Sequence, residues 1–172
     1  MYKRQTDEFA ALSHSRTANS IDNDIWEQEI VKVGEIGHKD EDHVVRGSTP
    51  ESLAELRTAF GPESLVTAGN ASGVVDGAAA VVIKSASKAA EDGDEPLAKI
   101  ISWGIVGLEP AIMAYGPVPS SKKALDKAGL TIGDIDRWEI NEAFAGQAVA
   151  CIKDLGLDVS KVNVNGGAVG IG

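Results

Sequence analysis

Between Ala78 and Asn165, stretches that read as strands alternate with stretches that read as helices, and this alternation constrains the fold more than any other feature. The strand-like pieces are the apolar run Ala78 to Ile83, Leu97 to Gly104, "DRWEI" and "VNVN". Between them lie "KSASKAAEDG", a loop with Pro110, Pro117 and Pro119, then "SSKKALDKAGL" and "NEAFAGQAVACIKDLG", all three non-loop pieces rich in helix formers. Short apolar runs of this kind suit strands buried on both faces. Strands separated by helices predict a layered α/β fold with a largely parallel sheet.

The front of the chain is less regular. Thr6 followed by Asp7 and Glu8 reads as a helix N-cap with an acidic first turn, and Phe9, Leu12 and Ala18 form a rough apolar stripe up to about Asn19. "EIVKV" from Glu29 alternates like a strand, and Gly34 to Gly47 reads as an exposed acidic loop. Thr49-Pro50-Glu51 opens another helix, with Leu53 and Leu56 on one face, and Gly61-Pro62 ends it. A length of 172 residues suits one domain or two small ones, with compositional breaks near Val74 and Gly93.

Sixteen Lys and Arg against 26 Asp and Glu give a net charge of −10, which repels nucleic acid and anionic membranes. An anionic small molecule is still compatible, because a few arginines or helix N-termini can hold it locally. No apolar run approaches the roughly 18 residues of a membrane span, and the start lacks a signal-peptide pattern, so the expected location is the cytoplasm. The lone Cys151 excludes an internal disulfide and reads as a small buried hydrophobe. His38 and His43 flank "KDED", but their spacing in an irregular loop has no fixed ligand geometry, and no metal is expected.

Three segments carry possible chemistry. In "VNVNGGAVGIG" the glycines at 166, 167, 170 and 172 follow a strand without fitting G-x-G-x-x-G. In "EINEAFAGQA", Asn141 falls at the carboxyl end of a strand, where open α/β sheets place ligands; on the residues alone its simpler reading is a helix cap. "TAGNASG" (Thr67 to Gly73) is smooth enough for an extended ligand to lie along it, with Ser72 as a bonding group, and reads equally as a tight turn.

Taken in order, "TAGNASGVVDGAAA", "MAYGPVPSSKKAL", "EINEAFA" and "VNVNGGAVGIG" resemble the thiolase family of acyl-CoA C-acyltransferases, and the resemblance extends from Thr6 to the end. It implies a thiolase-like layered α/β/α/β/α fold, present only in part. It also implies a reaction. A cysteine thiolate attacks the 3-keto carbon of a 3-ketoacyl-CoA, acetyl-CoA leaves as an enolate, and a second CoA collects the acyl group; the reverse condenses two acetyl-CoA. The family's nucleophilic cysteine, its histidine in a His-Pro pair after the glycine turn, and its second cysteine are absent from this sequence. Cys151 matches neither cysteine motif, so the fragment alone is expected to be inactive, with His-Pro expected to follow Gly172.

The resemblance assigns roles to residues that are present. Asn141 matches an asparagine that holds an ordered water and, with the histidine, forms an oxyanion hole. Ser72 matches the serine that bonds the pantetheine arm of CoA, with Ala68 and Val74 beside it. Phe60, Ala143 and Phe144 match channel walls, Met113 lines the acyl end, and Arg46 lies near the adenine nucleotide. Thr58 departs from the family pattern, which often has proline there. Coenzyme A enters as substrate, no cofactor is bound covalently, and the implied partners are acyl-CoA and CoA in a homodimer or homotetramer serving fatty acid β-oxidation and lipid metabolism.

The same match divides the chain. Residues 1–5 read as a non-native leader, 6–74 as the latter part of a loop domain, 75–93 as the last strand and helix of the N-terminal half, and 94–172 as the first part of the C-terminal half. Many sheet neighbours then fall outside the chain, which predicts exposed apolar edges. Two readings compete with this one. A nucleotide-binding α/β oxidoreductase domain would use the glycine turn, and a non-catalytic interaction module would need Asn141 only as a cap.

Overall fold

The computed structural model describes residues 3–31 and 45–171. Helix α1 (Lys3–Asp22) is the spine, packed against α2 (Pro50–Ala54), α5 (Ala145–Leu155) and α6 (Ala168–Ile171). Its buried face is small and polar as much as apolar: Thr6, Asp7, Ser13, His14, Thr17 and Ser20 accompany Phe9, Ala10 and Ile21. Leu12 and Ala18, expected in the buried stripe, are only half-buried. Thr6 is not the N-cap, because the helix begins at Lys3, whose ammonium bonds Asp7 and the Leu53 carbonyl and so carries the first turn over α2.

Small side chains let two irregular segments approach this helix closely. On one flank His14 Nε2 lies 3.0 Å from the Gly69 carbonyl, and Asn70 donates to the buried Asp7 at 2.9 Å. On the other, Arg16 donates to the carbonyls of Val162 and Val159, and Ser20 to that of Asn165. Apart from the Asn70–Asp7 bond, each of these contacts meets a backbone carbonyl of a loop segment, where regular secondary structure supplies fewer partners. The helix therefore ties "TAGN" to the glycine turn across the molecule.

Local signals set most helix ends. Thr49 caps α2 by accepting from the Ser52 amide, as the Thr-Pro-Glu start predicts, but the helix stops at Ala54 after little more than one turn. Helices α3 (Ala86–Asp92), α4 (Pro117–Ala128) and α5 end at Gly93, Gly129 and Gly156, with φ of 73°, 67° and 66°. Glycine occupies this left-handed region without the Cβ penalty. Pro117 and Pro119, expected in a loop, form the first turn of α4, where proline costs no hydrogen bond. Pro110 begins a 3₁₀ turn, Pro110–Tyr115.

The hydrophobic core lies between α1 and α5: Phe9 and Ala10 meet Ala145, Ala148, Cys151, Ile152 and Leu155, with Ile140, Val162 and Val169 closing it. The strand expectation is met differently from the way the periodicity suggests. Among the described residues, pairing is limited to isolated bridges: Thr58 with Thr67, Ala71 with Phe144, and the parallel bridge of Trp138 with Val162. Ala78–Ile83 and Leu97–Gly104 pair with nothing described, and Glu29–Val31 form no strand. The rest of "EIVKV", and Gly34–Val44 of the expected loop, lie outside the described residues.

The reason is geometrical: a strand exists only against a neighbour. Val81, Val82, Ile83, Leu97, Ile100, Ile101, Trp103 and Ile105 are 63% to 105% exposed. The chain exposes 11748 Å². A compact monomer of 172 residues exposes about 8,000 Å². The predicted apolar edges are therefore present. One side of the second segment is covered: Gly104 packs on the Ser120 carbonyl of α4, Lys127 bonds the Trp103 carbonyl, and Lys123 bonds that of Ile105.

Candidate functional site

Two of the three segments singled out for chemistry, 71 residues apart at Ser72 and Ala143, are joined by hydrogen bonds. The Ser72 amide and hydroxyl both donate to the Ala143 carbonyl, at 3.2 and 3.1 Å, and the Ala145 amide donates to the Asn70 carbonyl at 2.8 Å. With the antiparallel Ala71–Phe144 bridge, these bonds lay "NAS" alongside "AFA". Asn70 is held from below: its side chain accepts from the Thr67 amide and donates to Asp7 and to the Leu65 carbonyl. "TAGNASG" is thus neither a free turn nor an open surface; it is a tight turn bonded to the helix-entry segment.

Asn141 does not cap α5. The cap position belongs to Phe144, with no side-chain cap, and Asn141 lies three residues earlier. Its side chain is exposed and bonds no other described residue, while its neighbours Ile140 and Glu142 are buried. A free amide on a rigid base is what a group serving a ligand requires. The base is rigid because Trp138 and Asn163 exchange backbone bonds with this segment: Trp138 N donates to Lys161 O at 2.9 Å and Asn163 N to Trp138 O at 2.8 Å. Asn163 itself adopts a φ of 45°, a left-handed conformation that asparagine tolerates better than most residues.

Below Asn141 the buried Glu142 collects three donors: Ser13 Oγ at 2.6 Å, Asn163 Nδ2 at 2.8 Å and the Val169 amide at 3.0 Å. The glycine turn is dense in glycine because it is squeezed between this carboxylate and α1. A Cβ on Gly167 would fall on the Glu142 carboxylate; one on Gly166 or Gly170 would fall on Thr17. Sequence periodicity missed Glu142, Asn163, Ser13 and Thr17. The spacing of Ala10, Ser13, Thr17 and Ser20, small residues three or four apart on one helix, was the available signal of a close approach.

Nearby Glu139 is exposed, but the protein packed around it removes part of its solvation, and that, with a smaller contribution from the negative charge of Glu142, pushes its carboxyl above the ordinary carboxylate value. Cys151 is fully buried in α5, and burial above all pushes its thiol up. A thiol held protonated in the core is a poor nucleophile, in keeping with its expected structural role.

The other expected site residues are spread out. Ala68 and Val74 flank the Ser72 segment and are exposed. Phe60, 73% exposed, lies just beyond the pairing of Ala59 N with Val66 O, and Met113 is exposed on the 3₁₀ turn that packs over α5 through Ala114 and Cys151. Arg46 pairs with Asp22 at 2.8 Å beside an open cleft of about 380 Å³ at the end of α1. Among the described residues no group of His, Cys, Asp and Glu is placed to hold a metal; His38 and His43 lie outside them. No described helix is long and apolar enough to cross a membrane.

The family model for the thiolase N-terminal domain matches residues 1–87, and that for the thiolase C-terminal domain matches residues 94–172. An acetyl-CoA acetyltransferase of Rhizobium meliloti is 46% identical over 176 residues, covering 99% of this chain and 45% of the relative. A 3-ketoacyl-CoA thiolase of Marinobacter nauticus is 46% identical over 181 residues, covering 99% and 46%. The human mitochondrial 3-ketoacyl-CoA thiolase solved in complex with CoA superposes with a TM-score of 0.94 at 40% identity, over 100% of this chain and 44% of its own. The chain spans somewhat less than half the length of these relatives.

Proposed function

Because the chain belongs to the thiolase family and has its α/β fold, we propose that the protein it comes from is an acyl-CoA C-acyltransferase. That protein cleaves 3-ketoacyl-CoA with CoA to acetyl-CoA and a shortened acyl-CoA, or condenses two acetyl-CoA in reverse. The family match favours this reading over the oxidoreductase and interaction-module alternatives. The substrate class is CoA thioesters, as the names of the relatives and the CoA complex of the human thiolase suggest. Fatty acid β-oxidation in the cytoplasm, and a homodimer or homotetramer, complete the proposal.

The observation that supports it most is the pair of hydrogen bonds from Ser72 to the Ala143 carbonyl, because Ala143 follows Asn141 by two residues, so the serine assigned to the pantetheine arm is bonded close to the asparagine assigned to the oxyanion hole. In this proposal Ser72, with Ala68 and Val74, holds the arm of CoA; Ala143 and Phe144 wall the channel with Phe60, Met113 faces the acyl end, and Arg46 serves the nucleotide. Asn141 orients a water toward the thioester oxygen as charge develops there. Fixed donors of this kind contribute to barrier lowering because they need no reorganisation at the moment of reaction.

The domain division belongs to the same proposal: residues 6–74 as loop domain, 75–93 completing the N-terminal half and 94–172 opening the C-terminal half. The test is thiolysis by the full-length protein, with acetoacetyl-CoA and CoA as substrates. Formation of two acetyl-CoA per turnover is expected. Absence of turnover, together with tight NAD binding, would move the assignment to the oxidoreductase reading.

A further inference from the structure

Beside Asn141 stands a carboxylate for which the proposed reaction has no use. Glu142 is 1% exposed, and its two oxygens accept from Ser13 in α1, from Asn163 beyond the Val162 bridge, and from the Val169 amide in α6. All three partners are neutral, and burying a carboxylate among neutral groups is far more costly than burying an apolar side chain of the same size. A group that only accepts, with lone pairs on two oxygens, is what three converging donors require. Removing it would leave the Ser13 hydroxyl, one N–H of the Asn163 amide and the Val169 backbone N–H without this acceptor in the interior.

The neutral isostere cannot substitute. Asn163 is fixed in orientation: its Oδ1 accepts from Ile140 N and its Nδ2 donates to Ile140 O, each at 2.8 Å, so it can present only N–H to position 142. A glutamine there would point its own NH₂ either at that N–H or at the Ser13 hydroxyl and Val169 amide. Gly167 leaves no room for the side chain to move, since even a Cβ on it would overlap the carboxylate.

We propose that Glu142 is a positioning residue: it clamps the segment bearing Asn141 to both α1 and the glycine turn, fixing the Asn141 amide relative to whatever the turn presents. The inference rests on the thiolase reading, in which that turn leads to the catalytic histidine. Glu142 touches no substrate. Its effect is on the spacing of two groups that must act together on one oxygen.

The test uses the full-length protein, with thiolysis of acetoacetyl-CoA measured for wild type, Glu142→Gln and Ser13→Ala alongside thermal melts. For Glu142→Gln we expect kcat per folded molecule to fall about 10- to 100-fold, the range for misplacement of reacting groups. KM for both substrates should stay within about twofold, because ground-state contacts are untouched. Ser13→Ala, which leaves two donors in place, should lower kcat less and in the same direction. A lower Tm with unchanged kcat, or a rise in KM without a fall in kcat, makes Glu142 a packing residue and overturns the proposal. Should Glu142→Gln not fold, Ser13→Ala decides on the same terms. A wild type that does not cleave acetoacetyl-CoA sinks the thiolase reading and this role with it; an active wild type with indifferent variants sinks the role alone.

Discussion

Ser72 spends both of its donors on one acceptor, the Ala143 carbonyl, which receives the serine amide at 3.2 Å and the hydroxyl at 3.1 Å. The hydroxyl hydrogen is thereby committed, and what Ser72 has left to offer is the lone pairs of its oxygen. A ligand meeting it must bring a donor. The amide N–H groups of a pantetheine arm are donors of that kind, whereas a phosphate is not, which is compatible with the role proposed for Ser72.

Ser72→Ala in the full-length protein should weaken CoA binding by the value of one hydrogen bond, about 0.5–1.5 kcal/mol, or about 2- to 12-fold in KM for CoA. The backbone bond from residue 72 to Ala143 survives the change, so the fold and kcat should be nearly unaffected. Steady-state thiolysis at varied CoA reads both quantities. An unchanged KM would remove Ser72 from the binding site.

Asn141→Ala should do the reverse. The side chain is exposed and bonds nothing described, so the thermal midpoint should move by less than about 0.5 kcal/mol equivalent, as for an ordinary surface substitution. If it orients the oxyanion water, kcat should fall about 10²- to 10³-fold. A variant with full kcat would return Asn141 to a residue of no catalytic consequence.

Gly170→Ala tests why the turn is rich in glycine. A Cβ there meets Thr17 and, at 3.0 Å, the Ser13 carbonyl, both on a buried helix that cannot shift without disturbing the core. Overpacking at such a contact costs about 1–3 kcal/mol, and denaturant melts of the full-length protein should show a loss of at least that size. Gly166→Ala should be worse, because its φ of 93° adds backbone strain to a clash with the Thr17 amide at 2.6 Å. If instead the turn exists only to admit a ligand, both variants will fold normally and lose binding.

Helices that finish in glycine were legible from the sequence, because Gly93, Gly129 and Gly156 punctuate them and a left-handed residue does the same job wherever it falls. Order along the chain was legible too, and four motifs in register pointed to the family before any contact was known. What stayed hidden was whatever depends on two segments at once. Ser13 and Thr17 look like solvent-facing positions until the turn at 166–170 is laid on them, and Glu142 looks like an acidic residue of a helix's first turn until three donors close on it. Ala78–Ile83 reads as a strand from its apolar run, but a run of residues does not reveal a partner, and it pairs with nothing among the described residues.

Those unpaired segments make a prediction of their own. Val81 to Ile83 and Leu97 to Ile105 combine exposed apolar side chains with backbone that pairs with no strand among the described residues, the features of an aggregation-prone edge. The 172-residue chain expressed alone should therefore aggregate or melt without cooperativity. A sharp, reversible melt of a monomer, with mass confirmed by light scattering, would contradict this.

Glu139 gives a pH dependence with a definite sign. Partial desolvation, and secondarily the charge of Glu142, raises its carboxyl above the ordinary value, so the folded state binds this proton more tightly than the unfolded chain does. Stability then rises as pH falls between the raised folded value and the unfolded one near 4.3, and above the folded value the full penalty of a disfavoured charge applies. Glu139→Gln, which carries no charge, should melt at a higher temperature than wild type at about pH 7, and the difference should shrink toward about pH 4, where wild type is itself protonated. Paired melts of the full-length protein across this range measure the difference directly. A stabilisation that stays constant with pH would assign the effect to packing rather than to the partly desolvated charge, and a destabilisation at neutral pH would mean that Glu139 has a partner in the complete protein.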